Sequence, residues 1–161
     1  MKQAAGSVVA LSTSAEKGIA KSNREEVRLI EDWGIEGDAH AGKWHRQVSL
    51  LAIESIEKIH ALGLAVQPGA FAENITTKGV DLLSLHIGDK IRVGEAELEI
   101  TQIGKECHSR CAIFEQVGDC VMPREGLFAR VLQGAVVQVG STVSFVSSSD
   151  IAQEKGGNPN D

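Results

Sequence analysis

Tyrosine is absent from the 161-residue chain, and Phe and Trp bring its aromatic share to only 4%. So few rings exclude the rows of stacked aromatics that hold single-stranded nucleic acid. Basic residues are outnumbered, 16 Lys and Arg against 22 Asp and Glu, for a formal net charge of −6. The molecule as a whole therefore repels a polyanion, while a local basic cluster can still take one small anion. Long hydrophobic runs are missing as well. The N-terminal stretch MKQAAGSVVALSTSAEKG has one lysine and then an apolar run of about seven residues, interrupted by Ser12 and Thr13. That is too short for a secretory signal, and no later run spans a bilayer. The expectation is a cytoplasmic protein that binds neither nucleic acid nor membrane.

Cysteine is scarce, and its three copies all fall within GKECHSRCAIFEQVGDC, residues 104–120. An odd number of thiols in a reducing compartment argues against a disulfide framework. A zinc site would need Cys107, Cys111, Cys120 and His108, yet the adjacent pair 107/108 rarely reaches one ion and no paired C-x2-C knuckle is present. A reactive thiolate and a buried small hydrophobe remain. Cys107 and Cys111 are four apart and would share a helical face, and Arg110 beside Cys111 favours its thiolate. Cys120 and Cys107 also suit the buried role common for cytosolic cysteine.

At 42% hydrophobic with 17 glycines, the chain should fold around a small aliphatic core with many tight turns, and its length suits one domain. Strands are expected at 7–13 and 26–31, separated by a mobile polar loop EKGIAKSN (16–23). Ile53, Ile56, Ile59 and Leu62 recur at helical spacing, with Ser49 as cap and Gly63 as stop. Further strands are expected at 73–77, 89–94 and 96–103, the last two joined at Gly94-Glu95 as a hairpin. GLFARVLQG (126–134) reads as a second short helix, and 135–146 as two strands around Gly140. The fold class is mainly β with a few short helices, one strand-rich domain over residues 1–146 whose sheet closes into a barrel. Residues 147–161, SSSDIAQEKGGNPND, read as a disordered tail.

Two polar segments accompany the thiols. In GIEGDAHAGKWHRQVSLL (34–51), Asp38, His40, Lys43, His45 and Arg46 cluster in a glycine-rich loop, a density typical of sites. An isolated Asp-x-His pair is also commonly structural, and no GKS or GKT follows to make a phosphate loop. In FAENITTKG (71–79), Asn74 at a strand start can bond a ligand or its own backbone. No G-x-S-x-G elbow or outstanding carboxylate pair offers other chemistry.

Together GIEGDAHAG with RQVSLL, FAENITTKGVDLLSLHIGDKIRVG, SRCAIF followed by GDC, and GLFARVLQGAVVQVGS resemble, in order and spacing, the MOSC domain, the C-terminal module of molybdenum cofactor sulfurases that also occurs as free-standing small proteins. The resemblance runs from about Val8 to Phe145. It implies a barrel-like fold that binds a pterin-based molybdenum cofactor (molybdopterin with molybdenum or tungsten), with one cysteine as sulfur carrier or metal ligand. Cys111 matches that cysteine in its Arg-Cys context, with Cys107 as the competing or auxiliary thiol. The cofactor is a dithiolene bearing phosphate and needs cationic and amide donors. Arg46, Asn74 and Arg130 match the family segments, with His40, Lys43 and Arg124 beside them.

The chain is expected to lack both the aminotransferase-like domain of the full sulfurases and the N-terminal barrel of the reductase branch. The resemblance then implies a carrier that delivers sulfur or cofactor to a molybdoenzyme, supplied by a cysteine desulfurase partner. The alternatives are a stand-alone molybdenum-dependent reductase of N-hydroxylated or similar small substrates, and a cofactor storage module without thiol chemistry.

Overall fold

The computed structural model describes residues 5–17, 20–63, 67–104 and 125–146. Strands β1 (Ala5–Thr13), β5 (Val48–Ala52), β6 (Ile75–Lys78), β7 (Lys90–Val93), β8 (Ala96–Ile103), β9 (Leu127–Gln133) and β11 (Thr142–Val146) pair in the order β11-β7-β8-β9-β5-β6-β1. Because β1 also pairs with β11, the sheet closes on itself as a seven-stranded barrel. A short strand β2 (Ser22–Arg24) extends it beside β1, and β3 (Glu26–Ile30), β4 (Gly34–Ile35) and β10 (Ala135–Gln138) form a separate sheet, order β10-β3-β4.

All these pairings are antiparallel except β5 with β6. A parallel pair needs a long crossover, and helix α1 (Ile53–Ala61) supplies it. The amphipathic spacing is why this stretch is helical: Ile56 and Ile59 are fully buried, each contributing on the order of 1.5–3 kcal/mol relative to exposure. Gly63, at φ 104°, ends the helix by donating its N–H to the His60 carbonyl. The expected cap is corrected: Ser49 lies in β5, and the helix starts at Ile53 after Ala52 with no side-chain cap.

The barrel interior is read from period-two alternation. In β8, Ala96, Leu98 and Ile100 are fully buried while Glu97 and Glu99 are half-buried. The hairpin at Gly94-Glu95 holds, with Val93 opposite Ala96.

The second predicted helix is corrected. Residues 127–133 form β9, between β8 and β5 in the barrel wall, with Leu127, Ala129 and Val131 inside and Arg130 exposed. Leu, Ala, Arg and Gln favour helices in isolation, but two flanking strands supply a ladder that overrides so weak a preference. The predicted tail, 147–161, lies outside the described residues. None of the helices among the described residues is long and apolar enough to cross a membrane.

Candidate functional site

The loop between β4 and β5 is built around Asp38. Its Oδ1 accepts the Ser14 backbone N–H at 3.0 Å and Lys21 Nζ at 2.9 Å, and its Oδ2 accepts the His40 N–H at 3.0 Å. Both side chains of the Lys21–Asp38 pair are at 0% exposure. The ammonium completes its set with Ser14 Oγ at 3.0 Å and His40 Nδ1 at 3.1 Å. An ammonium only donates, so Nδ1 accepts and the neutral His40 ring carries its proton on Nε2. Burial by itself would push the Asp38 carboxyl up, but the bonds from Lys21, Ser14 and His40, with the Lys21 charge, outweigh it and hold the group below its ordinary value. The loop 16–23, expected to be mobile, is thus anchored through Lys21. Its backbone is fixed too, since the Lys21 N–H donates to the Gly69 carbonyl at 2.8 Å.

Past this clamp the chain presents Trp44, His45 and Arg46. The Trp44 indole N–H donates to the His40 carbonyl at 2.8 Å, and the two rings lie parallel, 6.5 Å between centroids. Lys17 Nζ sits over the indole at 4.6 Å, and the Arg46 guanidinium carbon lies 5.9 Å from that ring and 5.3 Å from Phe128. Both Arg46 Nε and His45 Nε2 bond the Gln102 side-chain oxygen, at 3.0 and 2.9 Å. That oxygen only accepts, so His45 is the donor. Thr101 Oγ1 donates to the His45 carbonyl, which fastens the loop to the end of β8.

This end of β8 is where the cysteine-bearing segment departs. The Gln102 amide donates to the Gly104 carbonyl at 2.8 Å, and the Gly104 N–H donates to the Gly126 carbonyl at 2.7 Å. Gly104 and Gly126, the described residues flanking 105–124, are therefore closed into one stem beside Arg46. Glu125 anchors the return: its carboxylate accepts Ser55 Oγ at 2.5 Å and Lys58 Nζ at 2.6 Å, both on α1. Cys107, Cys111, Cys120 and Arg124 lie outside the described residues.

The other predicted site residues are placed as follows. His40, Lys43 and Arg46 share the loop, with Lys43 exposed. Asn74 is fully buried; its Oδ1 accepts the Ser49 N–H at 2.9 Å and its amide donates to the Ser12 carbonyl at 3.1 Å, joining β1 to β5. Arg130 points outward from β9 and pairs with Glu99 at 2.7 Å.

Sequence reasoning missed Lys17, Lys21, Trp44 and Gln102. The partners of Lys21 and Gln102 are 17 and 56 residues away, beyond any local pattern. Trp44 was legible, as a lone aromatic between Lys43 and His45. It missed Glu73 too, a fully buried carboxyl that accepts the Gly69 and Phe71 N–H groups at 2.6 and 3.1 Å. Burial raises its pKa despite those bonds.

Among the described residues no group of three or more His, Cys, Asp or Glu side chains could hold a metal ion. What the residues do fit is an anion: among the described residues Lys17 and Arg46 have no carboxylate partner, and both lie against the Trp44 ring.

Comparison with known proteins agrees in fold. The MOSC domain family model matches residues 37–144. The YuaD protein from Bacillus subtilis superposes with a TM-score of 0.74 at 18% identity, over 90% of this chain and 98% of that one. YiiM from Geobacillus stearothermophilus gives 0.65 at 20% identity, over 88% of this chain and 75% of that one. YiiM from Escherichia coli gives 0.61, also at 20%, over 88% and 70%. Among curated proteins none matches the chain.

Proposed function

Because the chain belongs to the MOSC domain family, we propose that it binds a pterin-based molybdenum cofactor and acts as a cysteine-dependent sulfur carrier that serves molybdoenzymes. The observation that supports this is the closed stem: the segment holding all three cysteines starts and ends beside Arg46 and Gln102. The cationic cluster and the two described ends of that segment, Gly104 and Gly126, thereby share one end of the barrel.

Lys17 and Arg46 would hold the anionic phosphate, with Lys43 on the loop that carries Arg46. The cluster gives a −6 protein the local positive charge such a ligand needs. When bound, the group supplies a soft metal centre suited to sulfur ligands.

The chain's own part is the thiol. Cys111, its thiolate favoured by Arg110, attacks the terminal sulfur of a donor persulfide, displaces the donor thiolate and keeps the sulfane sulfur as its own persulfide. A cysteine desulfurase is the fitting donor. Cys107 is the auxiliary thiol. Thiols that must stay free to accept sulfur fit a reducing compartment, in keeping with a cytoplasmic protein.

The test is metal, pterin and sulfane sulfur per chain after expression in a cofactor-competent host. Wild type should carry molybdenum or tungsten with pterin, Arg46→Ala should lose most of both, and Cys111→Ser should lose the cyanide-labile sulfur. Zinc alone, or neither metal nor pterin, would overturn the reading.

A further inference from the structure

We propose that Trp44 is the stacking surface for the planar ring of the ligand, with Lys17 and Arg46 engaging an anionic group on the same molecule. The ligand class is a flat nitrogen heterocycle carrying a phosphate or carboxylate. The inference rests on the cofactor-binding reading and adds to it the residue that takes the ring.

The chain has only two tryptophans and no tyrosine, yet this one is 36% exposed in a polar loop. Its polar edge is already satisfied, because the indole N–H is bonded to the His40 carbonyl. What it offers a ligand is therefore a face. The ring is also fixed in place: His40 is bound to Lys21 and Asp38 on one side, and His45 and Arg46 to Gln102 on the other. A surface ordered beforehand costs little further entropy when a ligand arrives.

Lys17 now covers the indole at 4.6 Å. An exposed cation–π contact is worth about two- to fivefold in an equilibrium constant, whereas a base stacked on an aromatic is worth about five- to 150-fold. A planar heterocycle therefore displaces the ammonium from the ring. The freed Lys17, with Arg46 5.9 Å from the same ring, then meets the ligand's anionic group. Ring and charge are read together, which neither an inorganic anion nor a neutral heterocycle satisfies.

Calorimetric titration of the full chain with 6-carboxypterin and, separately, inorganic phosphate tests this, in wild type, Trp44→Leu and Trp44→Phe. Trp44→Leu should weaken 6-carboxypterin about tenfold or more, Trp44→Phe should keep most of the affinity, and phosphate should bind all three alike. Thermal melts confirm that each variant is folded, and Trp44→Phe keeps the test valid if Trp44→Leu is not. Equal 6-carboxypterin affinity in wild type and Trp44→Leu, a Trp44→Phe as weak as Trp44→Leu, or no wild-type binding would overturn the proposal. Pterin content after co-expression separates the two readings. Full content in Trp44→Leu removes the stacking role and leaves cofactor binding standing, while none in wild type removes cofactor binding itself.

Discussion

Replacing Lys21 by Met removes the ammonium from the centre of the site loop and leaves its backbone bond to Gly69 intact. Lys21 Nζ and Asp38 Oδ1 are 2.9 Å apart with both side chains at 0% exposure, so the variant strands a buried carboxylate with only the Ser14 and His40 N–H groups. Breaking such a pair from one side costs about 3–5 kcal/mol. For a chain of this size that corresponds to a fall in Tm of about 6–20 °C. The effect has a pH signature. The Asp38 carboxyl is held below its ordinary 3.8 in the folded state, so its contribution is present above that value and lost as pH falls through the depressed folded pKa. Without Lys21, burial pushes the carboxyl up and the sign reverses: in the variant Asp38 costs stability at neutral pH, and that cost is relieved as pH falls and the carboxyl takes up its proton. The gap between wild type and Lys21→Met is therefore widest at neutral pH and narrows in acid, where both carboxyls are protonated. Urea unfolding followed by circular dichroism from pH 3 to 8, with Asp38→Asn and the double variant alongside, measures this. The double variant should cost clearly less than the sum, because removing one charge relieves the isolation of the other. A single-variant loss below about 1 kcal/mol, against the 3–5 expected of a buried pair, would refute the reasoning, as would strict additivity.

Three further outcomes are expected. Thr77 Oγ1 is buried without a hydrogen-bond partner among the described residues, so Thr77→Val should raise stability by about 1 kcal/mol, read as a higher urea midpoint at unchanged slope. A Cβ on Gly6 would lie 2.2 Å from the Lys78 carbonyl oxygen, which is backbone and cannot swing away, so Gly6→Ala should destabilise by about 1–3 kcal/mol and lower the thermal midpoint. The Glu73 carboxyl is raised above its ordinary 4.5 by burial, so its contribution is full below that value and is lost as pH rises through the folded pKa. Glu73→Gln should therefore gain on wild type as pH rises above 4.5 in paired urea titrations, and a constant difference would contradict the assignment.

Much of this protein was legible in its residues. Alternation marked β8 and the β7–β8 hairpin, spacing of Ile56 and Ile59 marked α1, and the order of four segments marked the MOSC family. These signals are local or collinear, so a one-dimensional pattern carries them. Tertiary structure decided the rest. Residues 127–133 became a strand because β8 and β5 stand ready on either side, although their own preference is helical. Lys21, placed by sequence in a mobile loop, became the buried partner of Asp38, since only folding brings Ser14, Lys21 and His40 around one carboxylate. Asn74 ties β1 to β5 inside the wall, and Arg46 meets Gln102 across 56 positions of sequence. The sequence by itself determined which residue types the loop holds and which stretches bury an apolar face. Which cation is buried, which stays exposed over Trp44, and where the cysteine segment is tethered depend on burial and on partners distant in the chain, and those exist only once the barrel has closed.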